Sequence, residues 1–187
     1  VAIPLKGNMP DTIFKVLASK NNLNFHEKCQ IFYCDSYYDA SKMLIMDSID
    51  FAVLPEPYAS DVELKGANRV LNLQNEWGKS FKSKSRYPQA CTVINNKISI
   101  EESKLFFEVL ELSTRKIYEN YNLSSSKGES LIGIDKKIIR NSFNYCNMET
   151  ISGSDSFNEI QNFFEILENF SYESNKSKIL DIDFIVL

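Results

Sequence analysis

The sequence predicts an α/β fold in which a mostly parallel sheet with flanking helices is followed by a C-terminal helical segment. Short apolar runs alternate with helical patterns through residues 1–96. These runs are continuously apolar, which is typical of parallel strands that are buried on both faces of a sheet. Long helical patterns replace them further along the chain. Residues 1–98 are therefore predicted to form an α/β domain, and residues 99–187 a helical segment.

The predicted strands are short apolar segments bounded by turn residues. They cover residues 1–5, 30–34, 49–54, 69–73 and 92–95. In the third of these segments, Asp50 leads into the uniformly apolar run Phe-Ala-Val-Leu, which Pro55 ends. Proline ends a strand because it has no N–H to donate to a neighbouring strand.

The first predicted helix begins near Pro10 and closes at Asn21 and Asn22, with proline and Asp11 in its first turn, where both are favoured. Further helices are predicted over residues 38–46, 57–63, 101–121, 135–145 and 154–170, with a flexible loop at 124–128. The side of the 101–121 helix that is predicted to be buried carries Leu105, Phe106, Val109, Leu112 and Ile117. Residues 179–187 form an apolar ending with two aspartates.

Charge and composition exclude several classes of protein. The chain of 187 residues has a formal net charge of −4, and no basic stripe is present to neutralise phosphates, so nucleic acid is not a predicted partner. The four cysteines show no metal-ligand spacing, and the chain has one histidine, so no zinc site and no cofactor are predicted. No Ser/His/Asp or Cys/His arrangement indicates catalysis, and the chain is predicted not to be an enzyme.

The candidate ligand-binding residues follow the predicted strands, because ligands of open α/β sheets bind outside the carboxyl ends of the strands. The first group is Gly7, Asn8, Pro10 and Asp11, at a turn that opens a helix and can present N–H groups to a ligand. A plain strand-to-helix connection is the alternative for this turn. For Asp11 the favoured interpretation is a residue that stabilises the first turn of the helix, and contact with a ligand is the alternative.

The second group of candidates is an acidic residue with aromatic neighbours. The prolines on both sides of Glu56 restrict its backbone and orient its carboxylate, although a glutamate that stabilises a helix start is the alternative. Aromatic side chains that can stack on a planar ligand, or can simply belong to the core, are Tyr37, Tyr58, Trp77 and Tyr87. Gln89 completes the set, in a stretch that leads into the last predicted strand.

Several segments resemble the substrate-binding proteins of ABC importers, in the group that binds pyrimidine precursors, sulfonates and nitrate. They are residues 3–11 (Ile-Pro-Leu-Lys-Gly-Asn-Met-Pro-Asp), 50–59 (Asp-Phe-Ala-Val-Leu-Pro-Glu-Pro-Tyr-Ala), 71–77 and 87–94. The ending at 181–184 (Asp-Ile-Asp-Phe) is also similar. This resemblance implies a lobe of the type 2 periplasmic-binding-protein fold. It also implies capture of a small polar or aromatic solute between two lobes.

The same resemblance implies ABC permease and ATPase subunits as partners. It implies an extracytoplasmic location in the cell envelope, either periplasmic or lipid-anchored. The chain begins at the position where the second lobe of such proteins begins, so the first lobe is expected to be largely absent. We therefore expect weak solute binding by this chain, and self-association through exposed apolar surface. The alternative interpretation is an enzyme or a ligand-sensing domain built on the same fold.

Overall fold

The structure, a computed structural model, describes residues 1–170 apart from the side chains of Phe25 and His26. The predicted apolar ending at 179–187 lies outside the described residues. Helices account for 57% of the structure and strands for 4%. The predicted fold class, a mostly parallel sheet with flanking helices, is therefore wrong, and the protein is mostly helical.

Each predicted helix has a counterpart in the structure, whereas the predicted sheet is reduced to two short strands. The first part of the chain forms β1 (Ala2–Pro4), α1 (Met9–Lys20), α2 (Phe25–Lys28), β2 (Phe32–Cys34), α3 (Tyr37–Ile45), α4 (Tyr58–Leu64) and α5 (Leu73–Phe81). The remainder forms α6 (Ile100–Glu119), α7 (Tyr121–Ile132), α8 (Lys136–Ser142) and α9 (Gly153–Phe170).

Two compact units divide the chain. The first unit consists of Val1–Arg86 together with Lys137–Cys146, so α8 belongs to it. Within the described part of the chain, the second unit consists of Tyr87–Lys136 and residues 147–170. The predicted boundary at residue 98 falls inside the second unit.

A short parallel sheet lies at the centre of the first unit. Strand β1 pairs in parallel with β2, with Ala2 opposite Phe32 and Pro4 opposite Cys34. On the other side of β1, Ala2 forms an isolated parallel bridge with Ala52, supported by hydrogen bonds from Ala2 N to Phe51 O and from Val53 N to Ala2 O. Because β1 has neighbours on both sides, its residues are buried, and Ala2 and Ile3 have no exposed surface.

Of the other predicted strands, the 49–54 segment forms only the bridge at Ala52, and the segments at 69–73 and 92–95 have no strand partner within the described part of the chain. The apolar side chains of these last two segments are largely exposed, Val70 by 71% and Val93 by 69%. A strand is held by the ladder to its neighbour, so an apolar run without a neighbour stays irregular. The end of the 69–73 segment becomes helical instead, since the Asn72 side chain accepts hydrogen bonds from the N–H groups of Gln74 and Asn75 and caps α5.

The flexible loop predicted at 124–128 is also wrong. These residues lie within α7, whose first turn is capped by the Asn120 side chain through a 3.0 Å hydrogen bond from Leu123 N. Gly133, with φ of 70°, ends the helix in the left-handed conformation that glycine adopts without steric cost. The cap and the terminal glycine outweigh the low helix propensity of the serines between them.

The buried carboxylate of Asp11 fixes the connection from β1 to α1. Its Oδ2 accepts hydrogen bonds from the N–H of Gly7 and from Lys15 Nζ, both at 2.8 Å, and Asp11 has no exposed surface. Its Oδ1 accepts a 3.4 Å bond from the Tyr33 hydroxyl on β2. Burial lowers the pKa of Lys15, but the bonds to Asp11 and Tyr33 outweigh it, and the net pKa of Lys15 is raised.

We predict that Asp11→Ala lowers the free energy of unfolding by about 2–3 kcal/mol, because it removes a buried carboxylate that accepts charge-assisted hydrogen bonds from the Gly7 N–H and the Lys15 ammonium. Urea unfolding at neutral pH measures the change. The matched control is Asp61→Ala, which removes the first-turn aspartate of α4 and its exposed i,i+4 pair with Lys65. That control is expected to cost less than about 1 kcal/mol. Equal losses in the two variants would contradict a special role for Asp11.

Candidate functional site

The connections that follow the parallel segments lie at one edge of the sheet. Strand β1 leads into the Gly7 turn, β2 leads into α3, and the Ala52 segment leads into Pro55 and α4. Because the three segments run parallel, their carboxyl ends share one side, where ligands of α/β proteins bind. The predicted candidates Gly7, Asn8, Tyr37 and Tyr58 all belong to these connections. We call these four residues the strand-end surface.

An aromatic pair is formed by two candidates of the strand-end surface. The ring centroids of Tyr37 and Tyr58 are 5.5 Å apart, with an angle of 37° between the ring planes. Tyr37 opens α3, whose Ser36 cap accepts a 3.0 Å bond from Asp39 N, and Tyr58 opens α4. Both tyrosines are half-buried, whereas the adjacent Tyr38 is 63% exposed. The starts of α3 and α4 therefore place the two rings in contact, with part of each residue's surface open to solvent.

Two backbone N–H groups of the Gly7 turn are already hydrogen-bonded within the chain. Gly7, with φ of 84°, donates its N–H to Asp11, and Asn8 donates its N–H to Leu5 O at 2.9 Å. Asn8 is exposed and sits at the N-cap of α1 without a side-chain capping bond, and Pro10 follows in the first turn. The side-chain amide of Asn8 is thus the group that this turn can offer to a ligand. Asp11 acts as an internal acceptor.

Glu56 is held by neighbouring groups of the first unit. Its Oε1 lies 2.9 Å from Arg69 Nη2, and its Oε2 accepts a 3.1 Å hydrogen bond from Ser60 N. The side chain is 10% exposed. Both oxygens of the carboxylate that was a candidate ligand acceptor therefore face protein groups, and the Ser60 bond stabilises the first turn of α4.

Arg69 is the centre of the cluster to which Glu56 belongs. Its Nη2 also lies 3.3 Å from Glu63 Oε2, and the Glu63 oxygen in turn accepts a 2.8 Å bond from Asn141 on α8. The guanidinium carbon is 3.7 Å from the ring centroid of Tyr145. Burial lowers the pKa of Arg69, but the charge of Glu56 and the bond to Glu63 prevail, so its net pKa is raised. The cluster ties residues 137–146 to α4.

Two atoms of this cluster are buried without a hydrogen-bond partner, Glu56 Oε1 and Arg69 Nε. The 2.9 Å contact of Oε1 with Arg69 is close enough for an ion pair but lacks hydrogen-bond geometry. The nearby Cys146 thiol has a raised pKa, mainly because of burial and further because of the Glu56 charge. These features are typical of a structural ion-pair cluster, in which each buried charge is stabilised by a neighbouring charge of opposite sign.

Trp77 lies in the core. It is 2% exposed, and its ring centroid is 4.5 Å from that of Phe81 on the same helix, α5, which packs against α1. The following residue, Gly78, is in contact with Ser85, since a Cβ on Gly78 would lie 2.6 Å from Ser85 Oγ. The sequence offered two interpretations of Trp77, a ring that stacks on a ligand or a residue of the core. The structure places Trp77 in the core.

Tyr87 and Gln89 belong to the second unit and lie together. The Tyr87 ring stacks on Phe163 of α9 with centroids 5.9 Å apart and 12° between the planes. Burial raises the pKa of Tyr87 to about 12, and a side-chain hydrogen bond with Gln89 opposes this rise. These two candidates therefore form a pair within the second unit, whereas the strand-end surface belongs to the first.

Sequence reasoning missed the Arg69 cluster. It assigned Arg69 to a strand and gave no role to Glu63, Asn141 or Tyr145. A partial signal existed, because an arginine between apolar segments that follows two glutamates needs a partner when it is buried. The contribution from α8 had no signal, since residues 141–145 are far away in the sequence.

Comparisons with known proteins found no match: neither a family model, nor a curated protein, nor a solved structure matches the chain. Over residues 1–170, no helix combines the length and apolar character that a membrane span requires. In the same range, no group of three or more His, Cys, Asp or Glu side chains is placed to hold a metal ion.

We predict that Arg69→Met lowers the free energy of unfolding by about 3 kcal/mol, because it leaves the buried Glu56 carboxylate without its cation. Urea unfolding measures the loss. Lys65→Met, which breaks the exposed pair with Asp61, is the control and is expected to cost less than about 0.5 kcal/mol. Adding Glu56→Gln to Arg69→Met is expected to recover part of the loss. A double variant less stable than Arg69→Met alone would show that uncompensated charge is not the cause.

We also predict an alkaline effect at Tyr87. An unfolded tyrosine titrates near its ordinary pKa of 10.0, whereas Tyr87 in the folded chain stays protonated to about 12. The stabilisation from the neutral phenol is therefore present below pH 10 and is lost as the pH rises to about 12. Relative to Tyr87→Phe, the wild type is expected to lose roughly 2–3 kcal/mol over this range.

The measurement is a tyrosinate absorbance titration of both proteins, with urea unfolding at each pH. The difference between the two titrations isolates Tyr87 from the other tyrosines. A difference curve centred near pH 10 would contradict the raised pKa of this residue.

Proposed function

We propose that this chain is a solute-binding module that captures a small planar or polar molecule on the strand-end surface. The observation that carries the proposal is the Tyr37–Tyr58 pair, at the carboxyl ends of two parallel segments. A pair of half-buried rings offers aromatic surface together with two hydroxyl groups. Such surfaces bind heteroaromatic solutes by stacking and by hydrogen bonds at the edge of the ligand.

The polar residues around the aromatic pair support capture of a neutral or weakly polar solute. Asn8 contributes an exposed amide that can both donate and accept hydrogen bonds. Two acidic residues predicted as ligand contacts, Asp11 and Glu56, form ion pairs with Lys15 and Arg69 instead. Stacking on the rings and hydrogen bonds to the Asn8 amide are therefore the sources of affinity in this proposal. We therefore favour a planar solute, such as an aminopyrimidine, over a sulfonate or nitrate.

The resemblance of residues 3–11 and 50–59 to ABC importer substrate-binding proteins supports a transport role. In this proposal the chain delivers its solute to a permease and an ATPase, and it acts outside the cytoplasm, in the periplasm or anchored by lipid. The two segments supply the Gly7 turn and the Tyr58 connection, so the residues that carry the resemblance are also those of the strand-end surface.

Affinity is expected to be low for this chain alone. Tight small-molecule sites enclose most of the ligand surface, whereas a stacked ligand on an open pair of rings keeps one face in water. We expect dissociation constants near or above about 1 mM, which corresponds to roughly −4 kcal/mol. Micromolar or tighter binding would contradict the open-surface geometry.

We predict that an aminopyrimidine shifts the backbone amide NMR signals of residues near Tyr37 and Tyr58. Tyr37→Ala and Tyr58→Ala are each expected to weaken binding about two- to tenfold, the factor that corresponds to an aromatic stacking contribution of about 0.5–1.5 kcal/mol. Tyr38→Ala is the matched control, since Tyr38 is adjacent and 63% exposed but outside the pair. Taurine and nitrate serve as non-stacking comparison solutes.

Two results would overturn the proposal. One is the absence of amide signal shifts at residues 37 and 58 when the aminopyrimidine is present at its solubility limit. The other is an equal loss of binding in Tyr38→Ala. Stronger shifts with taurine or nitrate at the same residues would keep the capture surface but replace the planar solute by an anion.

A further inference from the structure

Helix α6 (Ile100–Glu119) has two different long faces in the second unit. One face carries Thr114 and Tyr118, whose hydroxyls bond to Thr150 at 2.9 Å and to Met148 N at 2.7 Å, and it includes the buried Ser103. The other face carries four of the five residues that the sequence predicted to be buried. They are exposed instead, Leu105 by 61%, Phe106 by 52%, Val109 by 54% and Leu112 by 40%, whereas the fifth, Ile117, is half-buried. We call these four residues the outer stripe.

The outer stripe is a continuous apolar surface on one side of the helix. At 100° per residue, its four members lie within an arc of about 120° centred close to Val109. Such a stripe on a helix is the pattern that packs against another helix. Side chains this large and this exposed, grouped together, mark an interaction surface more often than isolated exposed residues do.

A charged residue lies beyond each end of the outer stripe, and the two charges have opposite signs. Glu102 lies seven residues before Val109, and Lys116 lies seven residues after it, so both project from the same side of the helix as Val109. Both are exposed. Glu102 Oε2 accepts the capping bonds from Ser99, and its negative charge stays at the surface, where these bonds lower the pKa of the carboxyl.

We propose that the outer stripe is the contact through which two copies of this chain associate, with their α6 helices antiparallel about a two-fold axis at Val109. In this arrangement Val109 meets the partner's Val109, and Phe106 meets the partner's Leu112. Glu102 then lies opposite the partner's Lys116, and the symmetry produces this ion pair twice. A two-fold contact requires a surface that is complementary to itself, and the sequence of α6 meets this requirement.

The charge pattern favours this partner and this direction. A parallel pair of α6 helices would place Glu102 beside Glu102 and Lys116 beside Lys116, which is repulsive at both ends. An unrelated partner would need no symmetric placement of opposite charges around Val109. The pattern therefore points to a second copy of the same chain.

The contact is expected to be weak and reversible. The stretch from Glu102 to Lys116 is about 21 Å long at 1.5 Å per residue. One helix pair of this length buries less than the roughly 1,600 Å² of a standard stable interface. We therefore expect a dimer that dissociates on dilution, with a dissociation constant in the micromolar range or weaker.

Sedimentation of the 187-residue chain over a concentration series tests the association. The mass is expected to rise from 21.5 kDa towards twice that value. Val109→Asp is expected to weaken dimerisation at least tenfold, because it buries two charges at the axis. Ile100→Asp is the matched control. Ile100 is similarly exposed, by 60%, and lies nine residues from Val109, on the opposite side of the helix, so its substitution should leave the mass unchanged.

A charge exchange tests the direction. Glu102→Lys and Lys116→Glu alone each create two repulsive contacts in the antiparallel dimer, and each is expected to weaken it about tenfold at low salt. An equimolar mixture of the two variants places opposite charges together at both ends and is expected to restore dimerisation. Circular dichroism of each variant checks that α6 keeps its helix content, since Glu102→Lys removes the capping box.

Three outcomes would overturn the proposal. The first is a constant monomer mass at all concentrations. The second is a dimer that Val109→Asp leaves unchanged, which would place the contact elsewhere. The third is a monomer that Val109→Asp destabilises against unfolding, which would mean that residues of the same chain cover the stripe. These outcomes are independent of solute binding, so they leave the proposed function to its own test.

Discussion

The burial of one carboxylate determines how the first unit is built. Asp11 has no exposed surface, and a charge in that position is tolerated only when several donors surround it. The donors come from three elements: the turn after β1, helix α1 and strand β2. Satisfying one side chain therefore sets the direction in which α1 leaves the sheet and holds β2 against β1.

The same requirement separates binding residues from structural ones in this unit. Glu56 and Asp11 are acidic residues at the ends of parallel segments, and sequence reasoning considered both as contacts to a ligand. Each is paired with a cation of the chain, Arg69 or Lys15. The predicted candidates that keep surface open to solvent at this edge are two tyrosines and an amide, which favours stacking on these residues.

In the second unit, the amphipathic character of α6 has a different consequence. The helix has apolar residues around much of its circumference, and its hydrogen bonds to residues 148–150 come from one side. The periodicity of Leu105, Val109 and Leu112 correctly predicts a helix. It does not identify the face that packs within the chain, because two apolar arcs with the same repeat compete for the inner position.

The sequence by itself determined the positions of several helices, but not those of α2, α5 and α7. Local signals account for α1, α3, α4, α6 and α9, whose capping residues, first-turn prolines and 3.6-residue repeats act within a few residues. It also determined β1 and β2, and the presence of Gly7, Tyr37 and Tyr58 at the connections that follow parallel segments. The short α8 is an intermediate case, since it was expected over 135–145 and spans Lys136–Ser142.

Only the tertiary structure decided which apolar segments became strands, and which charged residues were paired. The segments at 69–73 and 92–95 have strand composition, but a strand exists only if a neighbour supplies hydrogen bonds, and local sequence does not record that neighbour. The Arg69 cluster depends likewise on Asn141 and Tyr145, far along the chain. Pairing between distant residues is a property of the whole fold, because its free energy is gained only when other contacts have brought the partners together.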